Sequence, residues 1–395
     1  MRSVLAQLAA VTMACGLAGC GDAPGEGFSV QDSAGVTITR NSEPVWVPTT
    51  GWRVAEPPVT EIGGAEGDAA YQLFRVRGAV RRADGVIVVA NAGTHQLKFY
   101  DENGRHMRDA GRQGGGPGEF QSIAWIGRYG PDSLVVWDTG NRRVAVFDEE
   151  GTFVRSAPLN VRGAVTGVFD DGSLLIEESV FGGADGLRRT PSVLWRVPTD
   201  GTSRDSLGVF PGYEQIVSTQ QVGSGLRVYE RSRPFGRRAV FATGTGWFVA
   251  GTQDRFELRR YSLSGNLVAI IQVMRANTPV TPSDIAAFKQ GVLEGFVQGD
   301  PQRIRRELDG LPYPQEMPAF GRILMDDVGH LWVQEQGSGD EQPRWVVFDV
   351  SDRMLGTVET PKGLAIRQIG GDFVLGVASN DLDVEHIRMY RLVRN

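Results

Sequence analysis

The stretch NRRVAVFD at residues 141–148 follows a glycine-rich run, GRQGGGPGEF, at residues 111–120. The same arrangement occurs one unit earlier, where VIVVANAGTHQLKFYDENG at 86–104 aligns with LVVWDTGNRRVAVFDEEG at 134–151. The step between the two units is 48 residues, from Val86 to Leu134 and again from Phe99 to Phe147. Apolar and polar residues alternate within each unit, which predicts half-buried strands.

A fixed period of about 40–50 residues with several short strands per unit is the sequence pattern of propeller blades. Four more units of the same kind follow, at about 162–201, 235–265, 320–349 and 371–390. The last unit ends one strand short, and residues 59–62 lie where that outer strand is needed. Because closing the ring removes free sheet edges, the sequence predicts an all-β, six-bladed β-propeller that its N-terminal segment closes.

The N-terminus indicates export. Arg2 is the only charge before an apolar run that ends in LAGC at 17–20. A charged start, a short apolar core and small residues before a cleavage point are typical of a secretory signal. The end of the run resembles the lipobox of bacterial lipoproteins, in which the cysteine becomes the acylated N-terminus. An ordinary signal peptide is the alternative. The expected organisation is a lipoprotein signal peptide at 1–19, lipidation at Cys20, a linker at 20–27 and the propeller at 28–395.

Composition limits the chemistry of the mature domain. The two cysteines are Cys15, which leaves with the signal, and Cys20, which the lipid blocks. Cysteine nucleophiles, cysteine-based zinc sites and iron–sulfur clusters are therefore excluded. A formal net charge of −6 gives no electrostatic reason to bind nucleic acid. We expect a monomer in the bacterial cell envelope, lipid-anchored on the periplasmic or outer-membrane side.

The repeats resemble those of six-bladed propeller lipoproteins of the NHL-repeat-like class. The resemblance rests on Asn141, Arg143, the segment 144–148 and the glycine run 114–120, and it is sharpest over 61–156. It implies the fold and says little about activity, because such propellers include binding proteins, lyases, lactonase-like enzymes and scaffolds. The resemblance implies ligand sites over the channel, on the face that carries the loops 63–68, 91–95, 111–120 and 138–142.

Two long insertions belong to the same face, at about 208–234 and 272–318. In the second, Thr281-Pro282-Ser283-Asp284 predicts the start of a helix, with a side-chain cap and proline in the first turn. Asp300-Pro301 predicts a second, shorter helix. The pattern leaves open whether these helices cover part of the channel mouth or pack against the side of the propeller.

The sequence singles out few reactive groups. The glycine run lacks the Gly-Lys-Ser/Thr ending of a phosphate loop and lies between strands, which argues against that function. The four histidines show no common metal spacing, and His95 alone falls in a loop of the expected ligand face. The resemblance implies zinc-binding histidines in the lyases and a calcium site of carboxylates and asparagine in the lactonase-like enzymes. Neither set can be assigned here, so the cofactor stays unknown and the metal content open.

Arginines recur at or near the predicted inner strands, at Arg77, Arg162, Arg237, Arg322 and Arg367. Guanidinium groups beside a channel could bind a carboxylate or phosphate bidentately; the alternative is that they pair with neighbouring acids. The candidate ligand-binding residues are Arg237, Arg322 and His95. We therefore expect a binding or interaction module that contacts the membrane through its lipid and binds an anionic small molecule or an envelope protein. A metal-dependent lyase or lactonase-like hydrolase with its site at the channel is the alternative.

Overall fold

The computed structural model describes residues 27–47, 50–64, 67–130, 133–180, 184–295, 300–337 and 341–394. The predicted signal peptide, Cys20 and nearly all of the linker lie outside these residues. In the described part of the chain, no helix is long and apolar enough to cross a membrane. The strands and helices, in chain order, are β1 (Phe28–Ser33), β2 (Val36–Asn41), β3 (Arg53–Ile62), a 3-10 turn (Ala69–Tyr71), β4 (Val76–Arg81), β5 (Ile87–Asn91), β6 (Gln96–Tyr100), β7 (His106–Ala110), β8 (Ile123–Tyr129), β9 (Ser133–Asp138), β10 (Arg143–Phe147), β11 (Phe153–Pro158), β12 (Ala164–Val168), β13 (Leu174–Ser179), β14 (Gly186–Val197), β15 (Asp205–Val222), β16 (Gly225–Ser232), β17 (Val240–Gly244), β18 (Trp247–Gly251), β19 (Glu257–Ser262), β20 (Leu267–Val273), α1 (Pro282–Glu294), α2 (Pro301–Asp309), β21 (Ile323–Met325), β22 (Leu331–Gln334), β23 (Arg344–Phe348), β24 (Met354–Glu359), β25 (Ala365–Ile369), β26 (Phe373–Ser379) and β27 (Glu385–Val393).

These strands form six sheets, and each sheet is one blade of a β-propeller. Blade 1 is β4–β7, blade 2 is β8–β11 and blade 3 is β12–β16. Blade 4 combines β17–β20 with β1 and β2, blade 5 is β21–β24, and blade 6 combines β25–β27 with β3. The innermost strands are β4, β8, β12, β17, β21 and β25, and successive ones contact each other around the channel. The predicted all-β, six-bladed propeller with a helical insertion between blades 4 and 5 is confirmed.

The ring closes through the N-terminal segment. Strand β3 pairs antiparallel with β27, so that Ile62 faces Ile387 and Arg53 faces Val393. The described core consists of six apolar clusters, and each fills the space between two neighbouring blades. One of them joins Ile62 and Phe373 to strands of blade 1. The blades are therefore held by burial of apolar surface at every junction, including the one where the chain ends meet.

A hairpin of β1 and β2 extends blade 4 outward, which the sequence pattern does not indicate. Strand β2 runs parallel to β20, and the buried Asn41 accepts a hydrogen bond from the Met354 N–H at 2.8 Å. The next residues follow blade 5, because the Trp46 N–H donates to the Leu355 carbonyl at 2.7 Å. The segment from β1 to β3 therefore wraps around the outside of blades 4, 5 and 6.

Side chains of the stretch 141–148 hold the glycine run 111–120 in place by hydrogen bonds. Arg143 donates to the carbonyls of Gly115, Gly116 and Glu119, at 3.1, 2.6 and 2.6 Å. Asn141 donates from Nδ2 to the Gly114 carbonyl at 2.9 Å. None of these carbonyls lies in a helix or strand, and a charged fork satisfies several of them at once. The motif therefore fixes the connection between blades 1 and 2.

Both predicted helices are present in the second insertion. The Thr281 side chain caps α1, and the Asp284 carboxylate accepts a hydrogen bond from the Thr281 N–H. Asp300 caps α2, whose Ile304 and Leu308 are buried. Residues 296–299, between the two helices, lie outside the described part.

The two insertions pack against each other. Strands β15 and β16 widen blade 3, and Phe235, just after them, contacts the rings of Phe288 and Tyr313 at 5.6 and 6.4 Å. Arg233 also donates to the Pro312 carbonyl at 2.6 Å. The loop insertions between blades 3 and 4 and between blades 4 and 5 thus form one body on the face where the inner strands begin.

Candidate functional site

Three arginines occupy bulges at the start of inner strands. The register of β4 against β5 skips one residue between Val76 and Gly78, which leaves Arg77 as the extra residue. The skip in β25 falls between Ile366 and Gln368 and leaves Arg367. A β-bulge bends the strand and redirects a side chain that would otherwise follow the pleat.

Arg322 has the same local geometry in blade 5. The Gly321 N–H donates to the Gln334 carbonyl, and the Gln334 N–H donates to the Arg322 carbonyl, at 2.7 and 2.8 Å. Two residues therefore face one, as in a bulge, immediately before β21. The repeat thus places an arginine at an inner-strand bulge in blades 1, 5 and 6.

A fourth arginine completes the group. Arg238 precedes β17 in blade 4, and its charge lowers the pKa of Arg322. Blades 4, 5, 6 and 1 are consecutive around the ring, so the four side chains form a row along one side of the channel entrance. We call Arg77, Arg238, Arg322 and Arg367 the arginine arc.

The electrostatics of the arc reflect crowding of like charges. Burial, followed by the charges of Arg367 and Arg238, lowers the pKa of Arg322 to about 10. Burial also lowers the pKa of Arg367; the carboxylate of Glu385 opposes this shift and the charge of Arg77 adds to it. Arg367 is nevertheless solvent-exposed. A side chain at the mouth of a narrow channel can contact solvent while the surrounding protein keeps its charge poorly solvated, and this lowers the pKa of its guanidinium.

Few carboxylates lie close enough to neutralise the arginines of the arc. Among the ion pairs of the described residues, none within 4.0 Å involves any of the four arginines. Arg322 makes one hydrogen bond, from a terminal nitrogen to the Ile366 carbonyl at 3.0 Å. A guanidinium carries five N–H donors, so most of the donor capacity of Arg322 is open to a ligand.

Two carboxylates lie at the ends of the arc. Glu385 is engaged by the Val76 N–H, which donates to it at 2.9 Å. Burial raises the pKa of Glu177, while a hydrogen bond from Ser192 at 2.6 Å and the charge of Arg238 oppose the rise. Glu385 therefore offsets part of the charge of Arg367, and the least compensated positive charge of the arc is at Arg322.

The structure separates the sequence candidates. Arg237 lies 3.5 Å from Asp254 and 3.5 Å from Glu316, so acids already occupy the guanidinium that sequence reasoning paired with Arg322. Its neighbour Arg238 belongs to the arc instead. The sequence does not indicate this, because Phe-Gly-Arg occurs at both 235–237 and 320–322 and makes Arg237 look equivalent to Arg322. Arg162 lies exposed before β12.

His95 lies in the loop between β5 and β6 with a φ of 58°. Arg142 holds the same place in blade 2, with a φ of 52°. The shared backbone conformation identifies the position as a turn residue of the repeat. The Nδ1 atom of His95 is buried, and among the described residues no hydrogen-bond partner is found for it. A ligand role for His95 stays a prediction.

Within the described ranges, no group of three or more His, Cys, Asp or Glu side chains is arranged to hold a metal ion. The residues that the structure brings together are thus cationic. The bulges that gather them carry no clear sequence signal, because a bulge adds one residue without changing the apolar pattern of the strand.

No family model matches the chain, and no curated protein matches it. Solved structures do. A member of the DUF4221 family from Bacteroides vulgatus is 8% identical, covers 88% of this chain and 99% of its own, and superposes with a TM-score of 0.53. A protein of Bacteroides fragilis described as exported is 11% identical, with coverages of 91% and 99% and a TM-score of 0.47. The calcium-binding protein regucalcin from Agrobacterium tumefaciens is 11% identical, with coverages of 87% and 96% and a TM-score of 0.40. At these identities the likeness concerns the fold alone.

Proposed function

We propose that this chain is an exported, lipid-anchored propeller that binds an anionic small molecule at the arginine arc. The proposal rests on the lack of carboxylate partners, within the described ranges, for the arginines of the arc. Four arginines from consecutive blades are gathered at the channel entrance without a carboxylate within ion-pair distance among the described residues. Gathering like charges raises the free energy of the unliganded site, and an anion would relieve it.

The chemistry favours a carboxylate or a phosphate group. Both are planar or tetrahedral oxyanions that accept paired N–H bonds from a guanidinium fork. Arg322 and Arg367 belong to neighbouring blades and act on each other electrostatically, so one oxyanion could contact both. Arg77 and Arg238 would then bind a second charged group or provide long-range attraction.

The test is a calorimetric titration of inorganic phosphate and of succinate into the purified chain. Arg322→Gln and Arg367→Gln should each weaken binding about 10- to 150-fold, since a charged hydrogen-bonded contact contributes about 1.5–3 kcal/mol. Arg162→Gln removes an exposed arginine outside the arc and serves as the matched control, with an expected change of less than about 2-fold. Absence of saturable binding of both anions, or equal binding by the arc variants and wild type, would contradict the proposal.

An envelope protein that presents an acidic side chain would use the same chemistry and is the related alternative ligand. A metal-dependent lyase or hydrolase remains the alternative from another class, and no observation on the described residues favours it. The export and anchoring part of the proposal rests on the sequence at 1–20, namely the apolar run and the LAGC ending at Cys20.

A further inference from the structure

A cavity of about 620 Å³ lies at the opposite end of the channel from the arginine arc. Its wall is formed where the inner strands of blades 2 to 5 end, at 128–130, 168–170, 243–245 and 325–329. Arg322 and Asp327 are five residues apart on one strand and turn, roughly 16 Å of extended chain. The cavity is therefore a separate site, and the inference does not depend on the proposed function.

The charges on its wall largely cancel. Arg128 lies 3.4 Å from Asp327, and Arg260 pairs with Asp352. The fully buried Asp326 is held by Arg394 at 2.8 Å. Of the carboxylates in the wall, Asp170 is exposed, and the ion pairs of the described residues do not include it. A wall that neutralises itself in this way favours neither a phosphate nor a multivalent cation.

The remaining wall groups suit a hydroxylated ligand. Thr243 and Thr245 offer hydroxyls, Asp170 offers acceptors, and Tyr129 adds aromatic ring surface. The Trp247 ring also lines the cavity, but the Arg260 guanidinium already lies over it at 4.5 Å. Hydroxyls, carboxylates and guanidinium groups together supply donors and acceptors, and a ligand hydroxyl needs both. The volume falls within the range of about 300–1,000 Å³ that is usual for small-molecule sites.

We infer that this cavity binds a small neutral saccharide. Its hydroxyls would bond to Asp170, Thr245 and the Arg128–Asp327 pair, and its C–H surface would pack against Tyr129. Asp327 is positioned for this from blade 5, because Gln368 donates at 2.8 Å to Oδ2, the same carboxylate oxygen that Arg128 approaches at 3.4 Å.

The test uses the purified chain and four unmodified disaccharides, namely maltose, cellobiose, sucrose and trehalose, measured by calorimetry and saturation-transfer NMR. At least one should bind saturably, and Asp170→Ala and Thr245→Val, both at exposed positions, should each weaken it at least about 5-fold. Arg162→Gln is the control and should leave saccharide binding unchanged. Asp170→Ala should also leave phosphate binding unchanged. Failure of all four disaccharides to bind, or equal binding by both cavity variants and wild type, would overturn the inference.

Discussion

At the scale of single residues, Asp352 occupies a turn position at which blades 1 to 4 have glycine. The turn between the third and fourth strands closes on Gly104, Gly151, Gly201 and Gly265 in blades 1 to 4, all with positive φ. In blade 5 the same turn closes on Asp352, with a φ of 66°. That conformation disfavours most side chains. The buried carboxylate contacts Arg260 of blade 4, and the Asp352 carbonyl accepts a bond from Asn41, so the substitution joins two blades and the N-terminal hairpin.

The pKa of Asp352 gives a prediction about stability. Burial raises this pKa to about 6 and outweighs the attraction of Arg260, while Asp349 adds to the rise. A raised pKa means that the folded state favours the neutral acid. The resulting stabilisation is present below about pH 4 and is lost as the pH rises through 6. We expect the free energy of unfolding of wild type, relative to Asp352→Asn, to fall by about 2 kcal/mol between pH 4 and pH 7.

Denaturant unfolding at the two pH values measures this difference. Asn tolerates positive φ well, so the replacement leaves the turn intact. Asp381→Asn, at an exposed position in the loop before β27, controls for the loss of one charge at the surface. A difference between wild type and Asp352→Asn that stays constant over the interval would contradict the assignment.

Residue-scale features differ in how far the sequence reveals them. The sequence identified Asn141 and Arg143 as residues that carry the family resemblance but did not predict their contacts, because the aligned segment THQLKFYD at 94–101 has neither an asparagine nor an arginine. The arginine arc was only partly predictable. Three of its members, Arg77, Arg322 and Arg367, were among the recurring arginines. A linear pattern does not show that Arg237 contacts Asp254 and Glu316 while Arg238 belongs to the arc.

At the scale of elements, the strand content and both helix starts followed from local rules. The N-cap of Thr281, the acid at position 284 and the proline between them determine where α1 begins. The β1–β2 hairpin was not predicted, since its residues repeat no blade pattern and become a sheet only by pairing with β20. The long strands β15 and β16 were treated as an insertion for the same reason.

The closing strand β3 gives the second prediction. A chain that starts at Gly27 should keep the full stability of the domain, because it retains β1 to β3. A chain that starts at Gly64 loses the hairpin and the pairing of β3 with β27. Each lost hydrogen bond contributes about 0.5–1.5 kcal/mol net, and burial of Ile62 is lost as well, so the domain should be destabilised by several kcal/mol. Calorimetric melting compares the two.

A third chain that starts at residue 50 separates the contributions, because it keeps β3 but lacks the hairpin. Its melting temperature should lie between those of the other two. Equal melting temperatures for the chains starting at 27 and 64 would show that β3 does not close the ring.

At the scale of the whole molecule, the N-terminal segment and the residues after β27 meet beside blade 5. Arg394 lies over the Trp52 ring at 4.1 Å and bonds to the buried Asp326, which also accepts a hydrogen bond from Trp332 at 3.1 Å. Hydrogen bonds from His330 lower the pKa of Asp326, although burial opposes them. The contacts of Arg394 with Trp52 and Asp326 thus join the N-terminal segment and the end of the last strand to blade 5.

Anchoring is the third prediction. Cys20 should be the N-terminus of the mature protein and carry acyl chains, since two or more chains anchor a protein stably where one is marginal. Cys20→Ser should move the protein from the membrane fraction to the soluble fraction or block its processing. Intact mass spectrometry of the native protein measures both the first residue and the added lipid mass. A lipid-free mature protein that begins elsewhere would contradict the prediction.

Whole-molecule architecture was the most predictable level, because six repeats of one pattern admit few arrangements. What each end of the channel binds was the least predictable, because it depends on side chains from several blades.

The most direct test of the central claim is a crystal structure of the chain soaked with selenate, an oxyanion whose selenium is located by anomalous scattering. We predict an anomalous peak about 4 Å from the guanidinium nitrogens of Arg322 and Arg367, with selenate oxygens within hydrogen-bond distance of them, and loss of that peak in Arg322→Gln. Selenate bound only elsewhere, with both guanidinium groups paired to carboxylates, would contradict an anion site at the arginine arc.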